Sequence, residues 1–184
     1  GADTIILTGS CGPCRFGFYS ILQANILKDL GYDVNFIVFE PITEGWAPLK
    51  ENILKTFKAT NIKEVINAAK MGWKLIQQAD YILDLSNRRR AYAINSYEVD
   101  FIMDDYFKKV EQVFGEKEMM NLMDNTVSLL NRIEIKENYK PIKIGLIGEI
   151  YTIIEPFVNL EIDRKLGHMG VVVEKSLTPT IWVE

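Results

Sequence analysis

The sequence has few residues that bind transition metals, since it contains two cysteines and one histidine among 184 residues. A framework of several structural disulfides is therefore excluded, and this chain alone cannot build a four-ligand zinc site from cysteine and histidine. No apolar run approaches the roughly 18–20 residues of a membrane span, and the N-terminus lacks the pattern of a signal peptide. We therefore expect a cytoplasmic protein without a membrane partner.

The chain also lacks an excess of basic residues. Its formal net charge is -4 and its pI is about 5.2, so nucleic acid is not an expected partner. The one tight basic run, Arg88-Arg89-Arg90, is interpreted as a solvated or ion-paired helix face. Hydrophobic residues make up 48% and charged residues 25% of the chain, which is typical of a globular domain with a core.

Both cysteines lie in one short stretch, Cys11-Gly12-Pro13-Cys14. The apolar run Thr4–Thr8 before them predicts a strand buried on both faces. Apolar residues at helical spacing predict a helix over Phe18–Leu30, with Gly31 in the left-handed conformation at its end. Val34–Phe39 predicts a second strand. The segment is therefore expected to form a parallel strand-helix-strand unit.

The middle of the chain has a helical pattern for roughly 90 residues. It predicts a long helix that Asn61 caps, a break at Asn95-Ser96, a helix that ends near Gly115, and a third helix over Glu116–Ile133. A shorter amphipathic piece, Leu49–Phe57, precedes them. The methionines of the third helix are expected to fill a helical core rather than to form a binding surface.

The C-terminal part returns to strand patterns. Ile142–Ile147 and Val171–Glu174 predict two strands, with the turn Gly148–Tyr151 and a helix from about Glu155 to Leu166 between them. Pro156 fits the first turn of that helix.

These elements predict an α/β fold, namely a Rossmann-like doubly wound parallel sheet with a helical insertion. The strand-helix-strand halves span about 3–48 and 140–184, and the insertion spans about 49–139. The glycine turns after the first and third strands, 9–17 and 145–151, are then expected at the same edge of the sheet. We expect the whole to be one domain of a longer protein.

Two thiols at the start of a helix serve either dithiol exchange or metal ligation, because the positive helix end favours thiolates. Cys-Gly-Pro-Cys has the residues of a thioredoxin active site. Against that interpretation, Ser10 replaces the expected Trp and the chain is too long. In addition, the only candidate for the cis-proline loop, Thr178-Pro179-Thr180, lies too near the end of the chain.

Metal ligation by this pair needs further ligands. A [4Fe–4S] cluster usually takes four thiolates, and His168 does not complete a site by its spacing. The missing ligands would come from a longer protein, another subunit, substrate or water. Two further alternatives stay open: the cysteines are reduced thiols in a tight turn, or the chain is a non-catalytic partner-binding domain that uses the helix Glu116–Ile133.

Several stretches together resemble the 2-hydroxyacyl-CoA dehydratase-like proteins. The similarity is greatest to the branch of CoA-substrate-specific enzyme activase-related, or double-cubane-cluster, proteins. The stretches are Gly9–Tyr19, Lys143–Tyr151, Glu155–Asn159 and Ile162–Gly167. The resemblance implies a Rossmann-like domain and an iron–sulfur cluster, either [4Fe–4S] or double-cubane, that cysteines outside this chain complete. It also implies low-potential electron transfer from an ATP-dependent activator protein, in a lyase or a reductase.

The residues in and after the two glycine turns supply the candidate site. By the resemblance, Cys11 and Cys14 match the motif cysteines, and at least one of them is expected to ligate the cluster; both are the candidate metal ligands. Gly12 and Arg15 are assigned to cofactor binding beside them. Arg15 can neutralise an anionic cluster, although it is equally suited to pair with a nearby carboxylate at the start of the helix. In the second turn, Glu149 and Tyr151 are expected to face a ligand, although Glu149 is equally suited to cap the next helix. His168 is expected to interact with helix-terminal carbonyls.

Overall fold

A computed structural model of the chain describes residues 4–8, 16–39 and 62–183. The chain divides into two compact units, Gly1–Ala68 and Ala69–Glu184. The described strands are β1 (Thr4–Thr8), β2 (Asn35–Phe39), β3 (Lys143–Leu146) and β4 (Val172–Lys175). The described helices are α1 (Phe16–Asp29), α2 (Ile62–Tyr92), α3 (Tyr97–Val110), α4 (Glu116–Arg132), α5 (Ile150–Ile154), α6 (Ile162–His168) and α7 (Pro179–Val183). None of these helices is long and apolar enough to cross a membrane.

The N-terminal unit contains the predicted strand-helix-strand segment. β1 and β2 pair in parallel, with register from Thr4 opposite Asn35 to Thr8 opposite Phe39. Helix α1 ends at Asp29, and Gly31 follows its last turn with a φ of 81°, the left-handed conformation that favours glycine. The backbone N–H of Tyr32 donates to the carbonyl of Leu27 at 2.9 Å, which completes a Schellman-type cap. The local prediction for this segment is therefore confirmed.

The predicted burial of this segment is wrong. On α1, Ser20 is buried, whereas most of the predicted apolar stripe is exposed, at Phe18 (73%), Ile21 (59%), Leu22 (53%), Ile26 (47%) and Leu30 (66%), and Leu27 is partly buried. In β1, Thr4, Ile5 and Leu7 are only partly buried. Among residues 4–8, 16–39 and 62–183, the sheet beside α1 has two short strands, whose apolar face is too small to cover a 14-residue helix.

The core of the C-terminal unit is helical. It joins α2, α3 and α4 around eight buried residues: Ile82, Ala93, Val99, Met103, Tyr106, Met123, Leu130 and Ile133. The predicted break falls where expected, since α2 ends at Tyr92 and α3 begins at Tyr97. Met119 and Met120 pack, partly buried, against this core. The expectation that the methionines fill a core is confirmed, which weakens the alternative that α4 is a docking surface.

A second strand-helix-strand segment follows this core. β3 and β4 pair in parallel, and Val172 and Val173 of β4 are buried. The helix predicted from about Glu155 to Leu166 begins only at Ile162, as α6, because residues 155–161 form a turn. The short helix α5 lies before that turn, where the sequence predicts a turn at Gly148–Tyr151. The side chain of Asn159 donates to the carbonyl of Ile153 at 3.0 Å, and Glu161 has a left-handed φ of 55°. These local features stop a helix that would start at Pro156.

The predicted Rossmann-like doubly wound sheet is wrong. Of the described residues, 62% are helical, and the four strands pair as two separate two-stranded sheets. The helices predicted as an insertion instead carry the main core of their unit, so they do not decorate a sheet. The two glycine turns consequently follow strands of different sheets, and the shared sheet edge expected for them does not exist.

Candidate functional site

The predicted cluster ligands Cys11 and Cys14, together with Gly12 and Arg15, lie outside the described residues. The structure does place the elements on either side of them. β1 ends at Thr8 and α1 begins at Phe16, so residues 9–15 join the carboxyl end of a strand to the N-terminus of a 14-residue helix. Within residues 4–8, 16–39 and 62–183, no group of three or more His, Cys, Asp and Glu side chains is arranged to hold a metal ion.

Glu149 and Tyr151 belong to the C-terminal unit. Glu149 is the N-cap of α5, and its Oε2 accepts a hydrogen bond from the backbone N–H of Thr152 at 3.2 Å. The capping interpretation of Glu149 is therefore confirmed. Tyr151 is 58% exposed on the first turn of the same helix. A cofactor-facing role for these two residues stays a prediction.

The same unit contains a cluster of charged residues around one buried carboxylate, that of Asp100. Arg90 Nε donates to Asp100 Oδ1 at 2.8 Å, and both side chains are about 6% exposed. Arg164 Nε donates to Asp100 Oδ2 at 2.9 Å. His168 Nε2 lies 2.8 Å from the same oxygen. Residues from α2, α3 and α6 thus meet at one carboxylate.

Helical spacing explains why Arg90 and Asp100 are buried. Ile82, Ser86 and Arg90 follow each other at intervals of four along α2 and are all buried. In α3, Asp100 lies beside Val99 and three residues before Met103, on the face that enters the core. Two charged residues therefore occupy positions on otherwise buried helix faces, and they compensate each other's burial.

The surroundings of Asp100 determine its ionisation. Burial alone would raise the pKa of this carboxyl. The hydrogen bonds and positive charges of Arg90 and Arg164 outweigh that effect and hold the pKa below its ordinary value of 3.8. Asp100 is consequently a carboxylate at neutral pH. For Arg164, burial would lower the pKa, but the negative charges of Asp100, Asp104 and Glu161 outweigh that effect, so its pKa is raised.

A carboxylate only accepts hydrogen bonds, so Nε2 of His168 carries the proton that it donates to Asp100. The other ring nitrogen, Nδ1, lies 2.8 Å from Oγ of Ser96. In the neutral imidazole this nitrogen is the acceptor, and the hydroxyl of Ser96 donates to it. The ring of Tyr97 packs against the imidazole with centroids 4.6 Å apart. Ser96, His168 and Asp100 therefore form a continuous hydrogen-bonded chain.

A cavity of about 250 Å³ adjoins the cluster. Its lining combines apolar residues such as Leu83, Met103 and Phe107 with charged ones that include Arg90 and Arg164. Lys175 and Asp163, which also line it, form an ion pair with each other.

The sequence did not reveal this cluster, although it contained signals. The sequence predicts a solvated or ion-paired face for the run Arg88–Arg90. Ion pairing is found for both ends of the run, since Arg88 pairs with Asp84 at 2.8 Å on the surface and Arg90 pairs with Asp100, but Arg90 is buried and not solvated. The expected interaction of His168 with helix-terminal carbonyls is replaced by its bonds to Ser96 and Asp100. A charged residue at a core position of an amphipathic helix was the overlooked signal.

Comparison of the chain with models of protein families, with curated proteins and with solved structures gives no match.

Proposed function

We propose that the chain is an iron–sulfur-cluster-binding part of a 2-hydroxyacyl-CoA dehydratase-like protein of low-potential electron transfer, with Cys11 and Cys14 as cluster ligands. One observation carries the proposal: two thiols three positions apart occupy the seven-residue connection between β1 and α1. A helix N-terminus stabilises negative charge, which favours the thiolate form that ligates iron.

The chain's own donors fit a cluster only in part. The sequence holds two cysteines, whereas a [4Fe–4S] cluster usually takes four thiolates. Cysteines outside this chain therefore complete the site in the proposal, in another domain or subunit. When bound, the cluster would supply one-electron chemistry, while Cys11 and Cys14 anchor it and Arg15 and Gly12 lie next to them in the sequence.

The resemblance of Gly9–Tyr19 to the dehydratase-like motif adds the partners to this proposal. They are an ATP-dependent activator that delivers electrons and the remaining domains of the parent protein. A cytoplasmic location is part of the proposal, because reduced thiols persist there. The Rossmann-like fold that the same resemblance implied is wrong, so the functional proposal depends on the cysteine pair and not on the fold.

Anaerobic reconstitution with iron and sulfide tests the proposal. A small thiol is added so that it can occupy the coordination positions that this chain leaves open. We expect visible iron–sulfur absorption and protein-bound iron in the wild type, and loss of both in the double variant Cys11→Ser/Cys14→Ser. Far-UV circular dichroism of the two proteins checks that the exchange leaves the fold unchanged. Equal iron content in the wild type and the double variant would falsify cluster binding by this pair.

The dithiol alternative is measured on the same proteins. A thioredoxin-like protein would reduce a disulfide substrate in turnover, and Cys11 would titrate with a lowered pKa. The described structure weakens this alternative, because Pro179 begins helix α7 and Thr178 Oγ1 accepts from the N–H of Ile181 at 3.3 Å. The only candidate for a cis-proline loop is thus the first turn of a helix. Disulfide turnover without bound iron would replace the cluster proposal by dithiol chemistry.

A further inference from the structure

The hydrogen-bonded chain of Ser96, His168 and Asp100 has the connectivity of a nucleophile, a base and an orienting carboxylate. Both hydrogen bonds of the imidazole are 2.8 Å long. Ser96 and Asp100 are four residues apart and therefore project from the same side of α3. His168, at the end of α6, reaches both of them. Such constellations are recognised by geometry and by the role of each group, not by sequence order.

Ser96 occupies a position where a serine hydroxyl normally caps a helix. It makes no side-chain cap hydrogen bond, and its φ of -68° and ψ of -19° are helical. Asn95 instead accepts from the backbone N–H of Tyr97, through Oδ1 at 3.2 Å. The hydroxyl of Ser96 therefore bonds to the imidazole of His168 and not to the helix backbone. Helix capping does not account for this contact.

Charged groups surround the carboxylate to which the imidazole donates. Arg90 and Arg164 share Asp100, and Arg164 also lies in the field of Asp104 and Glu161. The two arginines therefore face three carboxylates. The positive end of the 14-residue helix α3 begins next to Ser96 and favours negative charge that develops there.

The hydroxyl-imidazole pair is accessible. Ser96 is partly buried and the His168 side chain is 22% exposed, so a small reagent can reach them. Tyr97, whose ring packs against the imidazole, is 69% exposed. Its open face can receive an apolar group of a substrate beside the nucleophile.

We propose that Ser96 is a nucleophile for acyl transfer from small carboxylic esters with an apolar group, with His168 as general base and Asp100 as the carboxylate that orients it. Ser96 Oγ forms a bond to the carbonyl carbon while its proton passes to Nδ1 of His168. The bond to the leaving alkoxide then breaks, and the imidazolium returns the proton to it. Water, activated by the same imidazole, releases the carboxylic acid and regenerates the serine.

Covalent labelling with an alkyl fluorophosphonate tests this proposal directly. The reagent forms a bond from phosphorus to Ser96 Oγ and expels fluoride, and peptide mass spectrometry locates the adduct. We expect time-dependent labelling of Ser96 in the folded protein and its loss in Ser96→Ala. His168→Gln retains a donor for Asp100 but removes the base, so labelling should slow by about 100-fold or more.

Ser128→Ala is the matched control, because the Ser128 hydroxyl donates to the carbonyl of Asp124 within its own helix. Its labelling should equal that of the wild type. The proposal is overturned if heat-unfolded protein or Ser96→Ala is labelled as fast as the folded wild type, or if folded His168→Gln is. Should His168→Gln fail to fold, the comparison of wild type with Ser96→Ala decides alone. The cysteines take no part, so this result is independent of cluster binding.

Discussion

The two strand-helix-strand segments of the chain share one local pattern and differ in what their helices contact. In the first segment, β1-α1-β2, the apolar side chains of α1 are exposed and Ser20 is buried. In the second, β3-α5-α6-β4, helix α6 directs Arg164 and His168 to the buried carboxylate of Asp100. The pattern of each segment predicts its two parallel strands with helix between them, whereas the neighbouring surface determines which face of the helix is used.

The second segment is attached to the helical core through a charged cluster, because Arg90 and Asp100 of that core lie where α6 packs. Arg90 and Asp100 are each 5% exposed, and neither could be buried alone without a large cost. Gly167 of α6 lies directly over the Arg90 side chain. The cluster thus joins α6 to α2 and α3 by polar contacts, in contrast to the apolar stripe of α1.

Removal of the Asp100 carboxylate should change the stability of the second segment more than any other substitution considered. Asp100→Asn leaves Arg90 buried without its counter-ion, so we expect a loss of about 3–5 kcal/mol in the free energy of unfolding of the C-terminal unit. Urea unfolding followed by circular dichroism measures it. The matched control is Asp105→Asn on the same helix, whose exposed pair with Lys109 should contribute no more than about 0.5 kcal/mol. Similar losses in both variants would contradict a special role for the cluster.

A smaller effect is expected from pH, because only the part of the interaction that depends on ionisation titrates. The pKa of Asp100 is lower in the folded protein than its ordinary value of 3.8, so its contribution is complete above that value. It is lost as the pH falls through the folded pKa. The difference in unfolding free energy between wild type and Asp100→Asn should therefore shrink as the pH falls below the ordinary value. Urea titrations at several pH values check this, and a constant difference down to acid would refute it.

The close packing of α6 on Arg90 gives the next effect. A Cβ at Gly167 would lie 2.8 Å from Arg90 Cδ and 3.1 Å from Cγ, on a side chain that its ion pair holds in place. Gly167→Ala should therefore cost about 1–3 kcal/mol of unfolding free energy. Gly72→Ala in α2, where nothing lies within 4 Å, should instead stabilise the unit by about 0.5–1 kcal/mol. Thermal unfolding of both variants distinguishes a steric contact at Gly167 from a general effect of alanine in a helix. We expect the change in unfolding free energy to have opposite signs in the two variants.

The cap of α5 gives the smallest effect. Glu149→Ala removes the acceptor for the N–H of Thr152, so we expect a loss of about 0.5–1 kcal/mol. Tyr151→Phe, which keeps the ring of an exposed residue, should change stability by less than about 0.5 kcal/mol. Both variants are also reconstituted with iron and sulfide. Loss of iron from either one, without a change in stability, would support the predicted cofactor role.

Much of the local structure was predictable from the sequence. The break at Asn95-Ser96, the left-handed Gly31 and the packing of the α4 methionines on the core all follow from helical spacing and end signals within a few residues of chain. The helix predicted from Glu155 is wrong, because the turn before α6 depends on a left-handed conformation at Glu161. The residue types around Glu161 do not indicate that conformation.

Of the two candidate sites, one could be predicted from the sequence and the other could not. Cys11 and Cys14 are three positions apart, so their proximity in the chain needs no tertiary structure, and the proposal built on them comes from the sequence. The Ser96-His168-Asp100 chain joins residues that are 72 and 68 positions apart. No local pattern links a serine before one helix to a histidine at the end of another.

The sequence by itself determined the four longer helices, the approximate strand positions and the cysteine pair, because periodicity and end signals act over one or two turns of chain. Only the tertiary structure decided that the strands form two small sheets, that the apolar stripe of α1 is exposed, and that Arg90 and Asp100 are buried together. Those outcomes depend on which distant surfaces meet and on how their charges are neutralised, and neither is encoded in the spacing of a single segment.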